Sequence, residues 1–197
     1  MVALVDYSSV KSLSEIWSLT AEQFKEIPAL QDPYAKTPVS LTYGELYQQL
    51  ERFAAGVQAV GLKSDAKVAL FADNSPRWFI ADQGTMMAGA TNVVRSSQAD
   101  RDELRYILKD SDSSGLIVED RKTLEKLALD FGEYPLDFVI FLSEEDPDPE
   151  LTVRQLNFTQ LLALGEGKTP APSPHDRQSL ATLIYTCLLY TSPSPRD

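Results

Sequence analysis

Few side chains in this sequence have a type and spacing suited to chemistry, and each has a competing structural role. There is one histidine, His175, with Asp176 beside it. A serine-histidine-aspartate relay needs the carboxylate behind the imidazole. Neighbours in sequence cannot line up that way, so a loop position is expected for His175. Cys187 is the one cysteine. It allows no internal disulfide, and without a Cys/His cluster no zinc site is expected. No catalytic residue and no metal ligand is assigned.

Two positions fit ligand binding better. The turn Asn74-Ser75-Pro76 and the residue Arg95 each follow a short apolar run. Open α/β sheets take ligands just outside the carboxyl ends of their strands. Helix capping is the simpler task for Asn74 and Ser75, and ion pairing or plain exposure for Arg95. Trp78, Met86 and Met87 suit core packing first and a ligand wall second. The chain lacks GxGxxG and a Walker A sequence, so no dinucleotide or P-loop fingerprint is present. The acidic residues 143–150 are expected to form a solvated loop whose prolines break any regular cation-ligand spacing. Asn157-Phe158-Thr159 matches a glycosylation sequon, but no secretion signal accompanies it.

The elements that must position these residues centre on 67–95. Lys67-Val68-Ala69-Leu70-Phe71 reads as a strand buried on both faces. Ser75 can cap a helix that starts at Pro76, where a missing N–H costs nothing, and Gly89 can stop it. Thr91-Asn92-Val93-Val94 resumes the extended pattern. A helix from Asp100 carries Leu104, Ile107 and Leu108 inward. Gly115-Leu116-Ile117-Val118 is a strand, Asp120 opens another helix, and Phe138-Val139-Ile140-Phe141-Leu142 is a further buried strand. This alternation predicts an α/β fold with a mainly parallel sheet flanked by helices.

Ahead of that unit, Ser12 with Glu15 and Thr42 with Glu45 read as capping boxes of two helices. The first ends at Pro28 and the second at Gly61. Residues 29–38 are expected to be loop and Val39-Ser40-Leu41 a short extended piece. Beyond the parallel unit, residues 155–164 offer one short helix with Asn157 as its cap. Residues 165–176 read as a Gly/Pro linker, and 177–186 as one more strand.

Composition narrows the partners. The chain has 197 residues, with 18 Lys+Arg against 29 Asp+Glu and a net charge of −11. Such a surface repels nucleic acid and anionic membranes. No apolar run approaches the ~20 residues that span a bilayer, so no transmembrane segment is expected. A cytoplasmic localisation is expected, with the intact protein at most peripheral to a membrane.

Three stretches together resemble the adenylate-forming, or AMP-binding, superfamily. Leu41-Thr42-Tyr43-Gly44-Glu45-Leu46 resembles its first core motif, and 67–95 its second. Residues 176–186, Asp-Arg-Gln-Ser-Leu-Ala-Thr-Leu-Ile-Tyr-Thr, resemble the strand that feeds its phosphate-binding loop. The stretch NVVRSSQADRDELRYIL is most similar to long-chain fatty acyl ligases of photosynthetic organisms. The resemblance covers most of 12–186. It implies use of ATP and Mg²⁺, a fatty acid, and coenzyme A or acyl carrier protein. In such enzymes the fatty carboxylate attacks the α-phosphate, pyrophosphate leaves, and a phosphopantetheine thiol then takes the acyl group. Tyr185 and Thr186 fall at the entrance to the phosphate loop and are the nucleotide-binding residues it implies.

The sequence then departs from the pattern. Family members continue into a Ser/Thr/Gly-rich loop ending in Lys-Gly, whose amides and lysine meet the phosphates. Residues 187–197 here contain neither glycine nor lysine, and two prolines. The expected organisation is therefore a partial AMP-binding N-terminal domain over 1–186 and a foreign or aberrant tail over 187–197. The chain would be an inactive fragment of an ATP-dependent fatty acid ligase. The alternative is a non-catalytic α/β binding module.

Overall fold

A computed structural model describes residues 6–35 and 37–186. The tail 187–197, including Cys187, lies outside the described residues. Among the described residues six helices accompany eight strands. Strands β1 (Pro28–Asp32) and β2 (Val39–Thr42) form an antiparallel pair. The other strands are β3 (Lys67–Phe71), β4 (Thr91–Arg95), β5 (Gly115–Val118), β6 (Phe138–Phe141), β7 (Arg154–Asn157) and β8 (Thr182–Ile184). They form one sheet in the order β7-β6-β5-β3-β4-β8. Every pairing in it is parallel. The mainly parallel α/β sheet expected from the alternation is present.

Side chains on a strand alternate between faces, and here each face has its own core. Val68, Leu70, Ile117, Phe138 and Ile140 pack on α2 (Tyr43–Ala59), α3 (Pro76–Met87) and α6 (Phe158–Gly165). Ala69, Phe71, Val93, Leu116, Val118, Val139 and Phe141 pack on α4 (Arg101–Asp110) and α5 (Arg121–Leu127). Both faces are dry, which is why the strands read as continuous apolar runs. Helix α1 (Glu15–Phe24) meets α2 through Phe24 and Tyr43, whose rings lie 6.4 Å apart, and α3 through Trp17, whose ring meets Phe79 edge-on at 5.5 Å.

Helix α2 begins with a full capping box: Glu45 N–H donates to Thr42 Oγ1 at 3.2 Å and Thr42 N–H to the Glu45 carboxylate at 2.9 Å. Ser75 caps α3 by accepting from Trp78 N–H at 3.1 Å. Gly89 follows that helix at φ 90°, a conformation that favours glycine. Asp120 caps α5 through Thr123 N–H at 2.8 Å.

Four expectations are corrected. Residues 29–38 are not all loop, because β1 occupies 28–32 and pairs with β2. Pro28 is tolerated as the first residue of a strand, and Ala29 and Leu30 pack on the core. Helix α1 starts at Glu15, not within a Ser12 capping box. Ser12 Oγ pairs with Ser14 Oγ, and the Glu15 carboxylate accepts from Lys11 N–H instead. Residues 155–164 are not one helix, because β7 runs to Asn157 before α6 begins. Asn157 is the expected cap, bonded reciprocally with Gln160. Its side chain is thereby used and buried, which is incompatible with glycosylation. The last strand is shorter than 177–186, spanning only Thr182–Ile184.

Candidate functional site

Strand β3 leads into α3 on one face of the sheet, and its neighbour β4 leads into α4 on the other. Adjacent strands whose connections leave on opposite faces splay their following loops apart. That crevice is where open α/β sheets seat ligands. A cavity of about 520 Å³ lies there. Ala72, Asp73, Asn74 and Trp78 line it after β3, Val94, Arg95 and Ser96 at the end of β4, and Ile184, Tyr185 and Thr186 at the end of β8. Arg95, Asn74, Trp78, Tyr185 and Thr186, separated by up to 112 positions in sequence, thus share one wall.

Each has a distinct role. Trp78 packs partly on the core of its face and partly lines the cavity. Ser75 is spent on the helix cap, as its simpler role requires. Arg95 pairs with Glu103 of α4 at 2.7 Å, so ion pairing is its structural task. Its Nε is buried and has no hydrogen-bond partner among the described residues. Asp73 accepts from Ser96 Oγ and, at 3.4 Å, from Gln98 Nε2. This ties the loop after β3 to the loop after β4.

Tyr185 turns its phenol away from the cavity. Its hydroxyl donates to Asp110 Oδ2 at 2.7 Å, and its ring meets Tyr106 edge-on. Burial, and then the Asp110 carboxylate, push that phenol up to about 12. That hydroxyl is thereby committed to Asp110. Thr186 is exposed at the rim.

The other candidates lie elsewhere. His175 sits in a loop, its Nε2 3.4 Å from Asp65 Oδ1, just ahead of β3 and therefore at the amino edge. Asp176 closes its own turn by accepting from the N–H groups of Gln178 and Ser179, which hold its carboxyl below the usual range. It does not orient His175. Met86 is buried and borders a second cavity of about 700 Å³ with the N-terminal segment and residues 175–181. The acidic loop 143–150 is held by arginines: Arg77 pairs with Glu144 and donates to Leu142 O at 2.6 Å, and Arg121 pairs with Asp148 at 3.6 Å. Among the described residues no group of three or more His, Cys, Asp or Glu side chains could hold a metal ion. Asp73, the one carboxylate on the carboxyl-edge cavity among the described residues, is occupied by Ser96 and Gln98, so this wall does not fit a magnesium ion. No helix among the described residues is long and apolar enough to cross a membrane.

Sequence reasoning missed Asp73, Ser96 and Gln98 as a connected set. Their bonds span 23 and 25 positions, and only the β3-β4 pairing brings them together.

The chain resembles known proteins along most of its length. It is 41% identical over 136 residues to a chloroplastic long-chain-fatty-acid–acyl-carrier-protein ligase of Arabidopsis thaliana. That match covers 68% of this chain and 19% of the relative. A probable acyl-activating enzyme of the Arabidopsis chloroplast is 42% identical over 122 residues, covering 62% of this chain and 17% of the relative. This chain thus spans about a fifth of the curated relatives it matches. Among solved structures, a long-chain-fatty-acid-CoA ligase from Archaeoglobus fulgidus has the same fold, with a TM-score of 0.77 and 19% identity. The overlap covers 95% of this chain and 36% of that one. Residues 17–187 match the family model described as AMP-binding enzyme, and the chain belongs to that family.

Proposed function

We propose that this chain is the first part of an ATP-dependent fatty acid ligase, and that the carboxyl-edge cavity is the nucleotide side of its site. The observation that carries this reading is the 41% identity to a fatty acid ligase over 136 residues, together with a family match over 17–187 that contains the residues of the cavity wall. The reaction is acyl-adenylate formation with release of pyrophosphate, then transfer of the acyl group to the thiol of coenzyme A or acyl carrier protein. In the first step the fatty carboxylate displaces pyrophosphate from the α-phosphate of ATP. In the second the thiol sulfur displaces AMP. The described residues contribute position rather than covalent chemistry, consistent with a reaction dominated by charge stabilisation and alignment. Thr186 offers a hydroxyl at the rim and Tyr185 its backbone. Mg²⁺ would supply phosphate neutralisation when bound, and no residue of this wall is assigned to hold it.

The proposed organisation is a partial AMP-binding domain over 1–186 and a foreign tail over 187–197. On this reading the 197-residue chain is inactive, because amide-rich backbone and a lysine do not follow β8. Exposure of Ile184 (67%) on the edge strand β8, and of Leu180 (49%) just before it, supports a sheet that continues in the intact protein. The proposed setting is cytoplasmic; the Arabidopsis relatives are chloroplastic by name, so a plastid is the competing compartment.

The test is to read the source transcript past codon 186. A glycine-rich loop ending in lysine is expected in the continuing frame. A stop codon directly after residue 197 in independent clones would overturn the fragment reading. Appreciable fatty-acid-dependent ATP–pyrophosphate exchange by the 197-residue chain would overturn its proposed inactivity.

A further inference from the structure

Residues 96–99 form the loop after β4, and Ser96 places that loop on the cavity wall. Inside, the loop is held by Asp73. Outside, it is held by α5 and the residue after β5. Ser97 is 5% exposed, and its hydroxyl donates to the Glu119 carboxylate. The Lys126 ammonium donates to Ser97 O at 3.0 Å and to Ala99 O. A lysine on a helix surface ordinarily meets water or a carboxylate. Lys126 has no ion pair among the described residues and directs its donors at two carbonyls of one short loop. Charge-assisted bonds of this kind are roughly twice as strong as neutral ones. Lys126 does not line the cavity itself.

We propose that Lys126 is a positioning residue for the ligand site: it fixes the course of residues 96–99 and thereby sets Arg95 and Ser96 on the cavity wall. The proposal rests on the reading of that cavity as the ligase site. Arg95 is the residue immediately before the loop, and its partner Glu103 lies on the helix immediately after it. Releasing the loop therefore loosens the frame in which that ion pair is set.

The first test needs no ligand. Hydrogen exchange is measured on the 197-residue chain and on its Lys126→Met and Lys126→Arg variants. Methionine keeps an unbranched, largely apolar chain and removes the donors, whereas arginine keeps donors. In Lys126→Met the amides of Gln98 and Ala99 are expected to exchange about tenfold faster, the worth of one hydrogen bond to a charged group. In the same variant β3 and β5 stay protected, and Lys126→Arg stays near the parent. Unchanged loop exchange, or equal loosening of β3 and the loop, overturns the proposal. The second test uses the intact protein. There Lys126→Met is expected to raise the KM for ATP about tenfold with little change in kcat, and Lys126→Arg to restore it. A loosened loop with an unchanged KM overturns the positioning role. An intact protein with no ligase activity refutes the functional reading, while the exchange result still decides whether Lys126 holds the loop.

Discussion

Substituting Asn92 by leucine should destabilise the protein through one buried contact. Asn92 is fully buried on β4. Its Nδ2 donates to Asp82 O at 2.7 Å and to Asp82 Oδ1 at 3.0 Å, which fastens α3 to the sheet. Leucine removes both donors and leaves the carboxylate bonded to Gln83 alone. The bond to the carboxylate is worth about 1.5–3 kcal/mol and the neutral one about 0.5–1.5 kcal/mol. The buried Asn92 Oδ1, which has no partner among the described residues, disappears as well and offsets about 1 kcal/mol. The net loss is about 1–3.5 kcal/mol, or roughly 2–14 °C in Tm for a chain of this size.

The same contact makes a pH prediction. Burial raises the Asp82 carboxyl above its ordinary 3.8, while Gln83 and Asn92 lower it. A group whose folded pKa is raised favours the folded state fully below the unfolded value, and that benefit fades as pH rises through the folded pKa. Removing Asn92 raises the folded pKa further, so the deficit of Asn92→Leu should shrink on acidification from neutrality toward 3.8. Asp82→Asn should flatten the pH dependence. Thermal melts followed by circular dichroism across this range decide it. A deficit below about 1 kcal/mol at neutral pH, or one that grows on acidification, would refute the reasoning.

Two further substitutions probe the fold around the site. At Gly165 an added Cβ would lie 1.9 Å from Arg52 O and 2.8 Å from Gly56 N, so Gly165→Ala must push α6 off α2. A loss of about 3 kcal/mol is expected in urea titrations, and a change within ~0.5 kcal/mol would show that the helices yield freely. Tyr185→Phe removes the bond to Asp110 at the outer surface and should cost under about 1 kcal/mol. Because that phenol is raised to about 12, any difference between parent and variant should be intact below pH 10.0 and vanish as pH climbs through about 12. A difference that disappears by neutral pH would place the hydroxyl elsewhere.

The parallel sheet was legible because its central strands are short apolar runs bounded by caps and glycines. Runs such as Val68-Ala69-Leu70-Phe71 are buried on both faces and need no knowledge of partners. Strands β1 and β7 were hidden for the opposite reason. Each is only half-buried, and Pro28-Ala29-Leu30-Gln31-Asp32 and Arg154-Gln155-Leu156-Asn157 become strands through pairing with β2 and β6. The Ser12 box failed because Ser14 and Lys11 offer nearer partners to the same side chains. The site followed the same division. The position of the candidate cavity at the carboxyl edge could be read from strand-turn order. The ties from Asp73 to Ser96 and from Lys126 to residues 97 and 99 depend on β3 lying between β4 and β5, which local pattern does not encode.

The most direct test of the ligase assignment is fatty-acid-dependent ATP–pyrophosphate exchange, measured in parallel on this chain and on the protein translated from the continuing frame. The longer protein is expected to exchange label only when a fatty acid is present, and the 197-residue chain not at all. Exchange by the short chain, or none by the long one with any fatty acid, would contradict it.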